Sequence, residues 1–168
     1  MVKLEMRRVW VLALAAALLG CGHEGTKVQR NISVDYSRFL RIGATPFVDP
    51  RGHGLLIAEK LNAGLARQGY APPDMKDIEA ILAQHKPDRD WGVGLEALET
   101  IRHQTAADAV ITGALSADWS SARVTMLELE MGEQVLLAIV KPAAKKKAFA
   151  DPDEVVAETL RVFAALRR

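Results

Sequence analysis

Residues 38–70 read RFLRIGATPFVDPRGHGLLIAEKLNAGLARQGY, and this stretch decides the fold that we predict. The run from Phe39 to Phe47 is short and apolar, and Pro46 stops it because proline cannot donate a hydrogen bond to a neighbouring strand. A short loop then leads into a pattern of helical period that closes at Gly69. The apolar positions of that helix are Ile57, Ala58, Leu61 and Leu65. Strand, loop and helix in this order are the start of a βαβ unit.

The remainder of the chain continues this alternation and then changes character. We predict helices over 75–82 and 95–106, a buried strand over 108–115, and a hairpin of strands 123–130 and 134–140 with glycine in its turn. A brief strand around Tyr70 is a further candidate. Asp151 and Pro152 predict the cap and first residue of a final helix. The predicted class is α/β: one domain, a mixed central sheet flanked by helices on both faces in three layers, an antiparallel C-terminal hairpin and a terminal helix.

The first 21 residues carry the signature of a bacterial lipoprotein signal. A basic start with Lys3, Arg7 and Arg8 precedes eleven apolar residues, 9–19, which are too few to span a bilayer. The motif Leu18, Leu19, Gly20, Cys21 follows at once. We therefore expect residues 1–20 to be a signal peptide and Cys21 to carry diacylglyceryl and acyl lipid. The alternative is an uncleaved secretory segment beside a free thiol. Gly22, rather than aspartate, after Cys21 favours the outer membrane, with the domain facing the periplasm.

Composition limits what the rest of the chain can do. Cys21 is the only cysteine, so we expect neither a disulfide nor a thiolate metal cluster after it. Residues 21–168 keep 19 of the 22 basic and 20 of the 21 acidic residues, and this near-neutral balance argues against nucleic-acid binding. Residues 21–37 have little periodicity and are expected to be a tether, with residues 38–168 as the folded domain. Val34 and Tyr36 are alternative additions to the first strand.

Several residues invite a chemical interpretation, each with a simpler alternative. Amides in the loop 49–54 precede a helix and are placed to hold an anion, or the loop is only a turn. His23, His53, His85 and His103 lack metal-site spacing, and Asp88 and Asp90 form a carboxylate pair or a solvated loop. Trp91 and Trp119 are candidate partner contacts or core residues. Lys145, Lys146 and Lys147 are candidate contacts to anionic lipid or peptidoglycan carboxylates, or a solvated charge run. No catalytic residue, metal or cofactor other than the lipid is expected.

The order of these elements resembles that of the CsgG-like envelope lipoproteins. That group includes the curli secretion lipoprotein, the LpoB-type activators of peptidoglycan synthases and relatives of the amino-terminal domain of TolB. The resemblance extends from about Arg38 to Arg168 and rests on these segments: LRIGATPF at 40–47, IAEKL at 57–61, GY at 69–70, DIEAIL at 77–82, ADAVITG at 107–113 and MGE at 131–133. The hairpin of the group commonly has aspartate and threonine where this chain has Glu128 and Met131.

The resemblance implies a non-enzymatic, lipid-anchored protein that acts in envelope assembly or secretion through protein contacts, with homo-oligomers as one form. The chain lacks the insertions that make the barrel of the curli secretion protein, so we do not expect it to form a pore alone. A regulatory binding module for a peptidoglycan synthase, as in LpoB, is the alternative. The short tether argues against this alternative, because such a regulator needs a long arm to reach its partner in the inner membrane. A small hydrolase is a third hypothesis, for which the sequence offers no constellation.

Overall fold

A mixed β-sheet forms the centre of the computed structural model, which describes residues 25–87, 92–143 and 146–166. The elements in chain order are β1 (Lys27–Arg30), a 3-10 helix (Tyr36–Arg38), β2 (Ile42–Ala44), α1 (Gly54–Arg67), α2 (Met75–Leu82), α3 (Leu95–Thr105), β3 (Ala109–Leu115), β4 (Ala122–Glu128), β5 (Glu133–Val140) and α4 (Pro152–Leu166). The five strands lie in the order β1-β5-β4-β3-β2.

The sheet combines one parallel pair with three antiparallel pairs. β2 and β3 run parallel, with Gly43 opposite Val110, and α1 to α3 connect them. β3, β4 and β5 then form an antiparallel meander, and β1 pairs antiparallel with the free side of β5. The predicted mixed sheet, hairpin and terminal helix are therefore confirmed.

Helices cover both faces of the sheet because successive side chains of a strand point to opposite sides. In β3, Ala109 and Ile111 belong to the core beneath α1 and α4, whereas Val110 belongs to the core beneath α2 and α3. The three-layer arrangement that the sequence predicted is thus the observed one.

α1 and α4 approach each other closely at a glycine. A Cβ atom placed on Gly64 would lie 2.3 Å from Cδ1 of Leu160, so a larger residue at this crossing would force the leucine side chain to move. The two helices thereby form a continuous layer over one face of the sheet.

The turn between β4 and β5 is also built as predicted, with Gly132 at φ +67°. The Glu128 carboxylate accepts hydrogen bonds from the amides of Glu130 at 3.2 Å and Met131 at 2.9 Å. Glu128 therefore stabilises the turn although the group more often has aspartate there.

The structure corrects three boundaries. The segment 21–37, expected to be a tether, contains β1, and the 3-10 helix begins at Tyr36, so most of its described part is folded onto the sheet. β2 is shorter than the predicted run 39–47: beyond Ala44 the Thr45 amide still donates to the Ile111 carbonyl at 2.9 Å, and Val48 then forms an isolated bridge with Ala114. Around Tyr70 the described chain forms no strand: the Tyr70 amide donates to the Leu65 carbonyl of α1 at 3.1 Å, and the Ala71 amide donates to the Leu40 carbonyl at 2.8 Å.

Candidate functional site

Four segments meet at one end of the sheet, and we call this the anchor end: residues 25–27, 49–53, 116–121 and the described residues of the loop after β5, 141–143 and 146–151. β5 finishes there, with Val140 opposite Ala122, and β1 starts there, with Lys27 opposite Ile139. The amide of Lys141 donates to Oγ1 of Thr26 at 3.3 Å and joins the first described residues to the loop after β5. Each candidate contact residue that the structure describes lies in this region.

A buried carboxylate, Asp49, organises the anchor end. Its Oδ1 accepts hydrogen bonds from Nε1 of Trp119 at 2.8 Å and from the amide of Arg51 at 3.0 Å. Its Oδ2 accepts from the amide of His53 at 2.7 Å, and Nδ1 of the same histidine lies 3.3 Å away. Asp49 therefore ties the loop before α1 to the loop between β3 and β4.

These contacts hold the Asp49 carboxyl in its charged form. Burial alone would raise its pKa, but hydrogen bonds from the amides of Arg51 and His53 and from the Trp119 indole outweigh burial, and the pKa is lowered. The same bonds bear on whether the amides of this loop bind an external anion. Two of its amides already have an internal carboxylate as their acceptor, so the structure favours the turn over an external anion site.

Trp119 is part of the core and does not present its ring to solvent. Its side chain is only 1% exposed, and its backbone lies at φ 60°, a conformation that residues with side chains rarely adopt. The Arg51 guanidinium stacks over its ring at 4.3 Å, and the His53 ring meets it edge-on at 5.6 Å. Of the two hypotheses for Trp119, a partner contact or a core residue, the structure supports the core residue.

The lysine-rich loop after β5 is folded onto the start of α4. Oε2 of Glu154 accepts from the Ala150 amide at 2.9 Å and from Nζ of Lys146 at 3.1 Å, while Oε1 accepts from the Ala143 amide at 3.4 Å. Burial would raise the pKa of Glu154, yet these hydrogen bonds and the charge of Lys146 lower it overall. Lys147 is exposed and makes no ion pair within the described part of the chain.

The remaining predicted site residues fall outside the described ranges. They are Leu18, Leu19, Gly20, Cys21, His23, Asp88, Asp90, Trp91 and Lys145. The covalent chain nevertheless limits one distance, since six residue steps separate Cys21 from the first residue of β1. Six steps span at most about 20 Å. The proposed lipid attachment therefore lies close to the anchor end.

β1 is a functional candidate that the sequence analysis missed. It forms one edge of the sheet, and all four of its residues are exposed. Val28 on this strand is 45% exposed and Ile32 just after it is 66% exposed. Together they line a free edge that offers both backbone hydrogen-bonding groups and apolar side chains.

Two further searches concern the described residues alone. Within them, no cluster of three or more histidine, cysteine or acidic side chains is arranged to hold a metal ion. Over the same ranges, none of the helices has the length and apolar character needed to cross a membrane.

Comparison with known proteins gave structural likenesses only. No protein-family model matches the chain, and no curated protein sequence does. A PelC dodecamer from Paraburkholderia phytofirmans is similar over 83% of this chain and 96% of its own, at 14% identity and a TM-score of 0.49. Lipoprotein GNA1162 from Neisseria meningitidis is similar over 74% and 96%, at 14% identity and a TM-score of 0.46.

E. coli LpoB is similar over 61% of this chain and 56% of its own, at 12% identity and a TM-score of 0.45. With TM-scores below 0.5, these likenesses identify neither a family nor a function for this chain. The resemblance to the CsgG-like group accordingly stays a prediction from the sequence.

Proposed function

We propose that this chain is a non-enzymatic, lipid-anchored protein of the bacterial outer membrane that faces the periplasm and acts in envelope assembly or secretion by binding other proteins. Its only non-protein group in this proposal is the lipid on Cys21. The observation that carries the proposal is the placement of an open edge strand, β1, six residue steps after the cysteine of a lipoprotein signal motif.

The β1 edge supports partner binding through two kinds of contact. Backbone groups on the side of β1 that faces away from β5 are available to a further strand. The exposed side chains of Val28 and Ile32 add apolar contacts beside that strand. Arg30, which makes no ion pair within the described residues, suits an acidic side chain on the partner.

The basic residues on β1 also indicate which kind of partner it binds. Lys27 and Arg30 lie at the two ends of the strand, so pairing of two β1 strands would bring like charges together. The proposed partner is therefore an extended segment of another envelope protein with acidic and apolar side chains.

Site-specific photo-crosslinking in living cells tests the binding surface. A photoreactive residue at Val28 or Ile32 is expected to yield one discrete adduct with an envelope protein. The matched control is Leu95, which is 69% exposed on α3. Adducts of equal yield from all three positions, or from none, would contradict the proposed surface.

The anchor is tested separately by Cys21→Ser. We expect the native chain to be recovered in the membrane fraction with the mass of residues 21–168 plus lipid. The variant should lose the lipid mass and move to the soluble fraction. A native product that keeps residues 1–20 and carries no lipid would refute the anchor, whatever the crosslinking shows.

A further inference from the structure

We propose that the anchor end rests on the membrane, with Lys27, Lys141 and Lys147 in contact with anionic phospholipid headgroups, so that the domain has one preferred orientation on the bilayer. This inference deepens the proposed function and rests on lipidation of Cys21. It assigns a role to these three lysines, which are not needed for the lipid attachment itself.

Chain connectivity brings these lysines to the lipid. Gly25 is four residue steps after Cys21, which limits their separation to about 14 Å. A Cβ atom on Gly25 would lie 3.3 Å from Cγ of Lys141, so the loop after β5 begins beside the first described residue. Lys27, the first residue of β1, follows two positions after Gly25. The bilayer surface that holds the lipid is therefore within reach of the start of β1 and of the beginning of the loop after β5.

The three lysines are free to meet an external anion. Lys27 and Lys147 are exposed and Lys141 is half-buried, and within the described ranges none of them forms an ion pair. Lys146 differs, since Glu154 binds its ammonium group. The loop thus pairs one exposed lysine with Glu154 and leaves its neighbour without an ion pair among the described residues.

The acidic residues of the anchor end, and those in the first turn of α4 beside it, accept hydrogen bonds from within the chain. Asp49 and Glu154 face inward, as described above, and Asp151 accepts the Glu154 amide at 2.9 Å. Asp153 binds Nζ of Lys60 at 2.6 Å, and Asp118 accepts from Oγ of Ser116 at 2.8 Å. Only Asp153 and Glu154 of these carboxylates have a lysine partner, whereas Asp118 and Asp151 accept from neutral donors and keep their negative charge. The ammonium groups of Lys27, Lys141 and Lys147 are the lysine cations beside them that are unpaired among the described residues and that an anionic surface would attract. Each such basic group strengthens attachment to an anionic membrane about fivefold.

Lysine acylation on vesicles tests the orientation. The full-length product, purified from membranes, is reconstituted in phosphatidylcholine vesicles with or without phosphatidylglycerol, and the acylation rate of each lysine is read by peptide mass spectrometry. We expect Lys27, Lys141 and Lys147 to react several-fold more slowly when phosphatidylglycerol is present, and high salt to remove the difference.

Lys76 is the internal control, because it lies at the end of the sheet opposite the anchor end. It is in the first turn of α2, a few residues after Ala71, whose amide bonds to the Leu40 carbonyl just before β2 begins. Its rate should be the same in both kinds of vesicle. Equal rates for the three lysines in both vesicles would overturn the inference even if the lipid is present.

If intact mass shows no lipid, the proposed anchor fails, and the inference is then decided by sedimentation of the unlipidated full chain with phosphatidylglycerol vesicles. Salt-sensitive binding that falls about a hundredfold in the triple variant K27Q/K141Q/K147Q would support the lysine contact. No sedimentation of the unaltered chain would refute it.

Discussion

Nε1 of Trp119 donates a 2.8 Å hydrogen bond to Oδ1 of Asp49, and this bond joins two loops whose residues are 70 positions apart in the sequence. The indole supplies a neutral donor and the carboxylate a charged acceptor, a pairing stronger than a bond between two neutral groups. Because Phe149 donates its amide to the carbonyl of Trp119 at 2.9 Å, the loop after β5 is fixed to the same point. One tryptophan thus connects three of the four segments at the anchor end.

A double-mutant cycle measures the strength of this connection. Trp119→Phe keeps an aromatic ring but removes the donor, and Asp49→Ala removes the acceptor. We expect each to lower the free energy of unfolding by about 1–3 kcal/mol, with a coupling of about 0.5–3 kcal/mol between them in urea denaturation. Met131→Ala, at a side chain 72% exposed, is the control that should change little. Additive effects of the two substitutions would show that the bond contributes nothing.

The lowered pKa of Glu154 predicts a loss of stability in acid. The unfolded chain takes up this proton near the ordinary value of 4.5, and the folded chain only at lower pH, so protonation favours unfolding. The contribution of Glu154 is therefore complete above pH 4.5 and disappears as the pH falls through the lowered folded value.

Glu154→Gln should remove this part of the pH dependence. Urea denaturation of the two proteins at a series of pH values checks it: the difference in their unfolding free energies should be largest at neutral pH and shrink in acid. A difference that stays constant from neutral to acid pH would contradict the prediction.

Gly64→Ala tests the crossing of α1 and α4. The added methyl group meets Leu160, and we expect overpacking to cost about 1–3 kcal/mol in the free energy of unfolding. The double variant G64A/L160A should lose less than the two single changes together, since removal of the leucine methyl groups makes room for the alanine. Thermal denaturation of the four proteins provides the comparison, and strictly additive losses would count against a direct clash.

Tyr36 offers a test of how firmly the segment after β1 is attached. Its hydroxyl donates to the carbonyl of Val135, which also accepts the amide of Asn31 at 2.9 Å. Tyr36→Phe should lower the free energy of unfolding by about 1 kcal/mol and speed hydrogen exchange at the Asn31 amide. Ser37→Ala, at an exposed neighbour, is the control. Unchanged exchange at Asn31 would mean that the hydroxyl is not what holds this segment.

Much of the fold could be read from the sequence because its signals are local. The cap at Asp151, the glycine turn at Gly132 and the period of α1 each depend on residues a few positions apart. β1 could not be found in this way. Three of its four residues, KVQR, are polar and all four are exposed, and they form a strand only because β5, more than 100 positions later, offers an unpaired edge.

The candidate site was predictable in part for the same reason. The lysine run was visible as a charge pattern, but its split into the paired Lys146 and the unpaired Lys147 depends on the position of Glu154. Trp119 has serine and aspartate as neighbours in the sequence, which is typical of a surface loop, and its burial follows from Asp49 on a distant segment.

The docking of β1 on β5 has a mechanical consequence. If Cys21 carries the proposed lipid, a pull between that lipid and the domain acts first on this short outer strand, and its release would leave β2 to β5 and the helices that cover them in place. The next attached residue is then Tyr36, fifteen residue steps from Cys21. The maximum distance between Cys21 and the first residue held by the domain grows from about 20 Å to about 50 Å. Release of β1 under tension would thus lengthen the connection to the membrane without unfolding the rest of the domain.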